Sequence, residues 1–192
     1  MLAAFLICLS TTAVAEMGDR TQLLALVLAA RFRRPWAILC GVSCATLLSN
    51  LLAALVGEHL GRFLTPTLLD ALVGASMLGM GLWALKPDRA PAEAGAARGD
   101  SAFLAAGIAI FIAELGDKTQ LATLALAAAY ARLVPVVAGA TLGMLLANAP
   151  VILLGHAFSR RLPLRLIHAA ASLLFIALGA WFLWQAAHHR PA

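Results

Sequence analysis

Charge is scarce in this chain of 192 residues. Only 12% of the residues are charged and 62% are hydrophobic, and the mean hydropathy is +0.92. Soluble domains are only about half apolar, so a soluble globular domain is excluded and we expect an integral membrane protein. The chain also has neither a glycine-rich phosphate loop nor strand-like alternation. This absence disfavours an ATP-driven machine, and we expect a transport protein rather than an enzyme.

Cysteine is sparse as well. Cys8, Cys40 and Cys44 all lie within apolar segments and form no CxxC pair, which disfavours a disulfide or a zinc site. The net charge is +5, but the basic residues lie mostly in short loops between apolar segments rather than in one patch. We therefore expect a lipid bilayer around the protein and no nucleic-acid partner.

Apolar segments occupy nearly the whole chain. A hydrocarbon core of ~30 Å is crossed by roughly 20 helical residues, and six segments meet that length. They are residues 2–28, 36–56, 67–85, 102–130, 134–157 and 166–185. The sequence thus predicts an all-α integral membrane protein with six transmembrane helices.

The two halves of the chain repeat each other. AEMGDRTQLLAL at 15–26 returns as AELGDKTQLATL at 113–124, an offset of 98 residues, and from Glu16 to Leu26 seven of eleven positions are identical. The same offset relates Gly41 to Gly139, Asn50 to Asn148, Gly81 to Gly179 and Trp83 to Trp181. A register that holds over so long a stretch indicates an internal duplication.

An odd number of spans in each copy predicts that the copies are inverted. Residues 1–85 would form the first three-helix repeat, residues 86–101 a linker, and residues 102–192 the second three-helix repeat. In secondary transporters, inverted repeats are related by an axis in the membrane plane, and the substrate binds near the midplane at their interface. The two charged motifs should therefore meet at one depth.

Basic residues in the loops predict the orientation. Nine lie on the side of the linker, namely Arg31, Arg33, Arg34, Lys86, Arg89, Arg98, Arg160, Arg161 and Arg165. Three lie on the other side, namely Arg62, Arg132 and Arg190. By the positive-inside rule the linker is cytoplasmic, in a multi-pass protein of the inner (plasma) membrane. No oligomeric state follows from the sequence.

The repeated motif carries two acids, and both copies together carry four. Glu16 and Asp19 are three residues apart, as are Glu114 and Asp117, so on a continuous helix each pair would share one face. Oxygen-rich sites suit hard divalent cations, and neither motif brings the His or Cys that zinc or copper prefers. Neutral oxygens could come from Gln22, Gln120, Asn50, Asn148, Thr21 and Thr119.

Gly18 and Gly116, which lie between the acids, would permit either a close approach of helices or a local helix break. A purely structural alternative is that Glu16 pairs with Arg20, four residues on, within one helix. That pairing leaves two acids over in the two motifs, and each uncompensated charge at the membrane centre costs ~2.5 to 3.5 kcal/mol on insertion scales. One divalent cation would cancel the remaining two charges.

The motifs EMGDRT at 16–21 and ELGDKT at 114–119 resemble the duplicated Glu-x-Gly-Asp-Lys/Arg-Thr/Ser signature of a family of cation–proton antiporters. Members of that family occur in bacterial, chloroplast and Golgi membranes and exchange calcium or manganese for protons, and the bacterial ones are similar to manganese exporters. The resemblance implies that Glu16, Asp19, Glu114 and Asp117 coordinate the cation. It also implies a transported Mn²⁺ or Ca²⁺ with protons as the counter-substrate, and no resident cofactor.

Other functions stay open at this stage. A passive divalent cation channel could use the same acidic residues without proton coupling. An exporter of a small organic cation or an amino acid could use a similar three-plus-three architecture, and a structural membrane protein is a third alternative.

Overall fold

The computed structural model of the chain describes residues 1–85, 101–154 and 164–188. Within these ranges the secondary structure consists of helices, without strands. The helices are α1 (Leu2–Glu16), α2 (Arg20–Phe32), α3 (Pro35–Gly61), α4 (Pro66–Ala84), α5 (Ala102–Glu114), α6 (Lys118–Tyr130), α7 (Leu133–Leu154) and α8 (Leu164–His188). The predicted linker lies outside the described residues except for residue 101, as do 155–157 of the fifth predicted span.

Four of these helices are long and apolar enough to cross a membrane, namely α3, α4, α7 and most of α8. α1 and α2 together satisfy the same criterion as one span that is bent by 65°. α5 is a shorter apolar helix of 13 residues. An all-α chain with four or five candidate spans is therefore confirmed, whereas the sixth span stays a prediction.

The first and fourth predicted spans are not continuous helices, and that part of the prediction is wrong. α1 ends at Glu16 and α2 begins at Arg20, and α5 and α6 are separated in the same way. The cause is Gly18 with φ of 80° and Gly116 with φ of 76°, a left-handed conformation that glycine adopts without a steric penalty. The alternative of a local break at these glycines is confirmed.

The helices pack across the halves of the chain in equivalent ways. α1 packs against α7, and α5 packs against α3. Gly41 leaves no room for a Cβ against the Phe103 carbonyl, and Gly139 leaves none against the Phe5 carbonyl. Gly139 and Phe103 lie 98 residues after Gly41 and Phe5. The glycine of each half therefore makes an equivalent contact with the phenylalanine carbonyl of the other half.

The outer pair of helices repeats this arrangement. α4 packs along α8, where Gly81 approaches the Ser172 carbonyl and Gly179 approaches the Gly74 carbonyl. These four positions are again related by 98 residues. α3 also packs against both α5 and α6, so the helix breaks lie at the centre of the bundle.

Candidate cation site

Three carboxylates converge where the broken helices meet. Glu16, Asp19 and Asp117 each offer one carboxylate oxygen, and these oxygens lie within 4.8 Å of one another. All three side chains are buried. Glu114 is buried too, and its backbone carbonyl accepts from the Asp117 N–H at 3.0 Å across the second helix break. The four acids that the sequence singled out thus lie in one region.

The helix breaks place these acids. Asp19 and Asp117 are the N-caps of α2 and α6, and each accepts a hydrogen bond from the backbone N–H two residues on, at 3.5 Å from Thr21 and 3.3 Å from Thr119. Capping by a short carboxylate fits the unpaired amides and the partial positive charge of a helix N-terminus.

The carboxyl ends of α1 and α5 terminate at the same place, at Glu16 and Glu114. A helix C-terminus presents carbonyl oxygens without intrahelical partners and a partial negative charge. These ends offset the partial positive charge of the α2 and α6 N-termini at the same breaks, so the carboxylates rather than the helix dipoles favour a cation there.

The basic residues of the motifs reach across to the opposite motif. Arg20 Nη2 lies 3.1 Å from Asp117 Oδ1, and the Lys118 ammonium pairs with Asp19. The structural alternative of an intrahelical pair between Glu16 and Arg20 is wrong, because the break at Gly18 separates residues that a continuous helix would place on one face. The charge count is unaffected, since four acids face two bases.

The two glutamates have unused hydrogen-bonding capacity. Glu16 Oε2 accepts from the Thr21 hydroxyl at 2.6 Å. Oε1 of each glutamate is buried without a hydrogen-bond partner. Buried polar atoms are nearly always paired, so these two oxygens are suited to a ligand.

The two predicted threonines lie at the site. The Thr21 hydroxyl contacts Glu16, and the Thr119 hydroxyl lies 3.0 Å from Asp117 Oδ2. The two glutamines are engaged elsewhere, because Gln22 Oε1 and Gln120 Oε1 each accept from the N–H of the glycine four residues earlier, at 2.8 Å in both cases.

The two predicted asparagines differ. Asn50 Oδ1 accepts from the Thr123 hydroxyl at 3.2 Å, and Asn50 Nδ2 donates to Thr141 Oγ1 at 3.3 Å. Asn148 Nδ2 donates to the Met144 carbonyl at 3.0 Å, but Asn148 Oδ1 is buried without a partner. Only Asn148 has an amide oxygen available to a ligand.

Ser49 is a site residue that the sequence did not indicate. Its hydroxyl accepts from Gln120 Nε2 at 3.0 Å, and Gln120 Oε1 in turn accepts from the Gly116 N–H of the second motif at 2.8 Å. The repeat hides it, because the residue 98 positions later is Ala147. Its place beside Asn50 on the buried face of α3 was the one available signal.

A buried cluster of carboxylates among helices that can cross a membrane defines the class, a helical membrane protein suited to bind a cation. The sequence profile of the family described as "Divalent cation/proton antiporter GDT1" matches residues 4–92 and again residues 102–190. The chain belongs to this family of divalent cation/proton antiporters, as the resemblance of its motifs predicted. The two matched segments are offset by the same 98 residues as the motifs.

Two relatives are similar over most of their length. A Vibrio cholerae protein named "Putative manganese exporter" is 43% identical over 178 residues, which cover 92% of this chain and 88% of the relative. A GDT1-like protein of Synechocystis is 30% identical over 205 residues, which cover 96% of this chain and 98% of the relative. No solved structure matches the chain.

Proposed function

We propose that the protein exports a divalent cation, Mn²⁺ or Ca²⁺, from the cytoplasm in exchange for protons. The observation that carries this proposal is the convergence of Glu16, Asp19 and Asp117, whose oxygens lie within 4.8 Å of one another in a buried region. Membership of a family of divalent cation/proton antiporters supports the same reaction. Manganese is the first cation to test, because the Vibrio cholerae relative carries it in its name.

The proposed ligands are oxygens only. Glu16, Asp19, Asp117 and Glu114 supply the carboxylates, and neutral oxygens come from Thr21, Thr119 and Asn148. An oxygen set of this size suits the octahedral coordination of Mn²⁺ and the six or more ligands of Ca²⁺. Gln22, Gln120 and Asn50 are left out of the set, because their amide oxygens already accept hydrogen bonds.

Charge balance explains why protons are the counter-substrate. Arg20 and Lys118 offset two of the four carboxylates, which leaves two negative charges in a buried region. Either one divalent cation or two protons neutralise them, and the two compete for the same oxygens. The protein can therefore change conformation within the membrane at low cost when the site holds a cation or two protons. The same change is costly when the site is empty and charged.

The proposed architecture is six spans in two inverted repeats, with a cytoplasmic linker in the inner membrane. The equivalent contacts of Gly41 with Phe103 and of Gly139 with Phe5 support two repeats related by a two-fold axis. A cysteine introduced at Ala94 tests the orientation. It should resist an impermeant thiol reagent in intact cells and react after lysis, and labelling of intact cells would reverse the orientation.

Transport is tested in proteoliposomes with a pH-sensitive dye inside. An imposed proton gradient should drive Mn²⁺ or Ca²⁺ uphill, and a pulse of metal should shift the internal pH. If two protons leave per ion, the logarithm of the apparent affinity should rise by about two per pH unit over the range where both are displaced. Flux that runs only downhill and leaves the dye signal flat would favour a passive channel instead.

A further inference from the structure

Gln22 and Gln120 stand at equivalent positions and make equivalent contacts that coordination of a cation does not require. Gln22 Oε1 accepts from Gly18 N–H at 2.8 Å, while Gln22 Nε2 donates to the Ala147 carbonyl at 2.8 Å. The first contact lies within its own motif and the second lies on α7 of the other half. Each end of the amide is therefore used once.

The second glutamine repeats this pattern. Gln120 Oε1 accepts from Gly116 N–H at 2.8 Å, and Gln120 Nε2 donates to Ser49 Oγ at 3.0 Å. Ser49 on α3 is 98 residues before Ala147, so both glutamines bind the same position of the opposite repeat. The acceptor is a backbone carbonyl in one half and a side-chain hydroxyl in the other.

We infer that Gln22 and Gln120 are positioning residues. Each ties the glycine break of its motif to the middle span of the opposite repeat, which is α7 for Gln22 and α3 for Gln120. Gly18 needs such a partner, because it is buried and a backbone N–H in a helix break has no helical acceptor and is costly to bury unpaired. Gly116 makes the same contact at an exposed position. On the second motif, Gly116 lies two residues after Glu114 and directly before Asp117, so the break that Gln120 holds carries both carboxylates of that motif. The positions of these carboxylates thus depend on the amide.

This inference rests on the proposed function, since it assigns the glutamines a role in holding the proposed ligands. It distinguishes two roles for the same side chain, namely coordination of the cation and positioning of the carboxylates. An amide that coordinates the cation contributes directly to affinity and to the choice among ions, because Ca²⁺ takes more oxygens than Mn²⁺. An amide that positions the carboxylates should change the affinity for both ions by the same factor.

The Gln120–Ser49 contact can be tested from both ends. Gln120→Leu and Ser49→Ala should each lower the equilibrium affinity for Mn²⁺ about tenfold, the equivalent of one buried hydrogen bond. The double variant should be no weaker than the weaker single variant, because both changes remove the same bond. Gln185→Leu is the matched control, since it makes the same substitution on α8 and should bind as the wild type does.

Ser49→Thr supplies a conservative rescue. It keeps the hydroxyl that accepts from Gln120 Nε2 and adds no charge near the carboxylates. This variant should therefore recover most of the affinity lost in Ser49→Ala, with the wild-type ratio of Mn²⁺ to Ca²⁺ affinity. Gln22→Leu should lose more than Gln120→Leu, because Gly18 is buried and Gly116 is exposed.

Binding is measured by titration of Mn²⁺ and of Ca²⁺ into detergent-solubilised protein that elutes as one peak, which removes misfolded variants from the comparison. Unequal losses for the two ions, or additive effects of Gln120→Leu and Ser49→Ala, would overturn the inference in favour of a ligand role. Wild-type affinity in Gln120→Leu would also overturn it. Wild-type protein that binds Mn²⁺ without proton-coupled flux would instead refute the proposed function alone.

Discussion

The two motifs have nearly the same sequence but different surroundings. In the first motif the break is enclosed, since Gly18 is buried, while the Arg20 side chain is 34% exposed. In the second motif Gly116 is exposed and the Lys118 side chain is only 5% exposed. The residues that the motifs share thus give both halves the same proposed ligands, whereas the residues around the motifs determine how exposed each half is.

The central helices differ in a second way. Asn50 is held by Thr123 and Thr141, whereas the carbonyl oxygen of Asn148 has no partner. The sequence repeat explains this difference. The position of the first half that is equivalent to Thr123 is Ala25, which has no hydroxyl to donate to Asn148. Equivalent asparagines therefore make different contacts, since Asn50 joins α3, α6 and α7 whereas the amide oxygen of Asn148 makes no hydrogen bond.

The largest expected effect tests whether transport needs the glutamates of both motifs. Glu16→Gln and Glu114→Gln should each reduce Mn²⁺ transport by more than about 100-fold, since loss of a ligand should exceed the 10- to 100-fold typical of its supporting partners. Flux per unit of protein in proteoliposomes measures this. Glu58→Gln, which removes only the exposed ion pair with Arg62, is the control and should transport normally.

Full activity in either glutamate variant would mean that one motif suffices, and the proposal of a shared site would then be wrong. Poor membrane insertion would be a weak explanation for lost activity. Removing a charge from a spanning segment makes insertion cheaper rather than costlier.

The bases should differ in their effect on stability. Lys118→Met removes a buried ammonium beside Asp19, and breaking a buried ion pair typically costs about 3–5 kcal/mol. Arg20→Met removes a guanidinium that is 34% exposed beside the buried Asp117, so water can partly replace it and the loss should be smaller than for Lys118→Met. Unfolding in detergent, followed by heating or by denaturant, should show the larger loss for Lys118→Met.

The double variant Asp19→Asn with Lys118→Met is the control for charge, because it removes both members of the buried pair. It should be more stable than Lys118→Met alone. Equal destabilisation by Arg20→Met and Lys118→Met would mean that the different exposure of the two bases has no energetic consequence.

The sequence could name the acids that converge because a repeat with a constant offset marks positions independently of the fold. Their role as cation ligands stays a prediction. The four carboxylates, Thr21 and Thr119 could all be named from the two copies of one motif. Their convergence also followed, since two equivalent segments in inverted repeats should lie at the same depth. Membrane class and helical content followed from hydropathy alone.

The ion pairs and the glutamine contacts could not be predicted in the same way. Spacing rules for pairs such as Glu16 with Arg20 assume an unbroken helix, and glycine permitted either a break or a close approach. Once the break exists, a base four residues from an acid turns toward the opposite motif. Ser49 was missed because its repeat partner is Ala147, so a search for identities between the halves passes over it.

Substitution of each asparagine by leucine tests the difference between α3, which carries Asn50, and α7, which carries Asn148. Asn148→Leu should lower the apparent affinity for Mn²⁺ about tenfold with little change in stability, because it removes an oxygen that the protein itself does not use. Asn50→Leu should instead lower stability by about 2 kcal/mol, because it leaves the hydroxyls of Thr123 and Thr141 without this partner. Binding titrations and unfolding curves on both variants separate the two effects, and equal affinities in both would contradict the assignment of Asn148 as a ligand.

Thr123→Val should have the smallest effect, because it keeps the side-chain volume and removes only the hydroxyl that Asn50 Oδ1 accepts from at 3.2 Å. We expect a loss of about 1 kcal/mol, which lowers Tm by roughly 2–4 °C in a protein of this size.

Thr67→Val, at an exposed position on α4, is the matched control for Thr123→Val and should leave Tm unchanged. The decisive comparison is made in the Asn50→Leu background, where Thr123→Val should cost nothing further, because the bond that it removes is already absent. An equal drop in Tm in both backgrounds would place the effect of Thr123 elsewhere on α6, since that hydroxyl also donates to the Thr119 carbonyl at 3.0 Å. The difference between the two halves would then lie in the helix that carries the motif rather than in the asparagine that faces it.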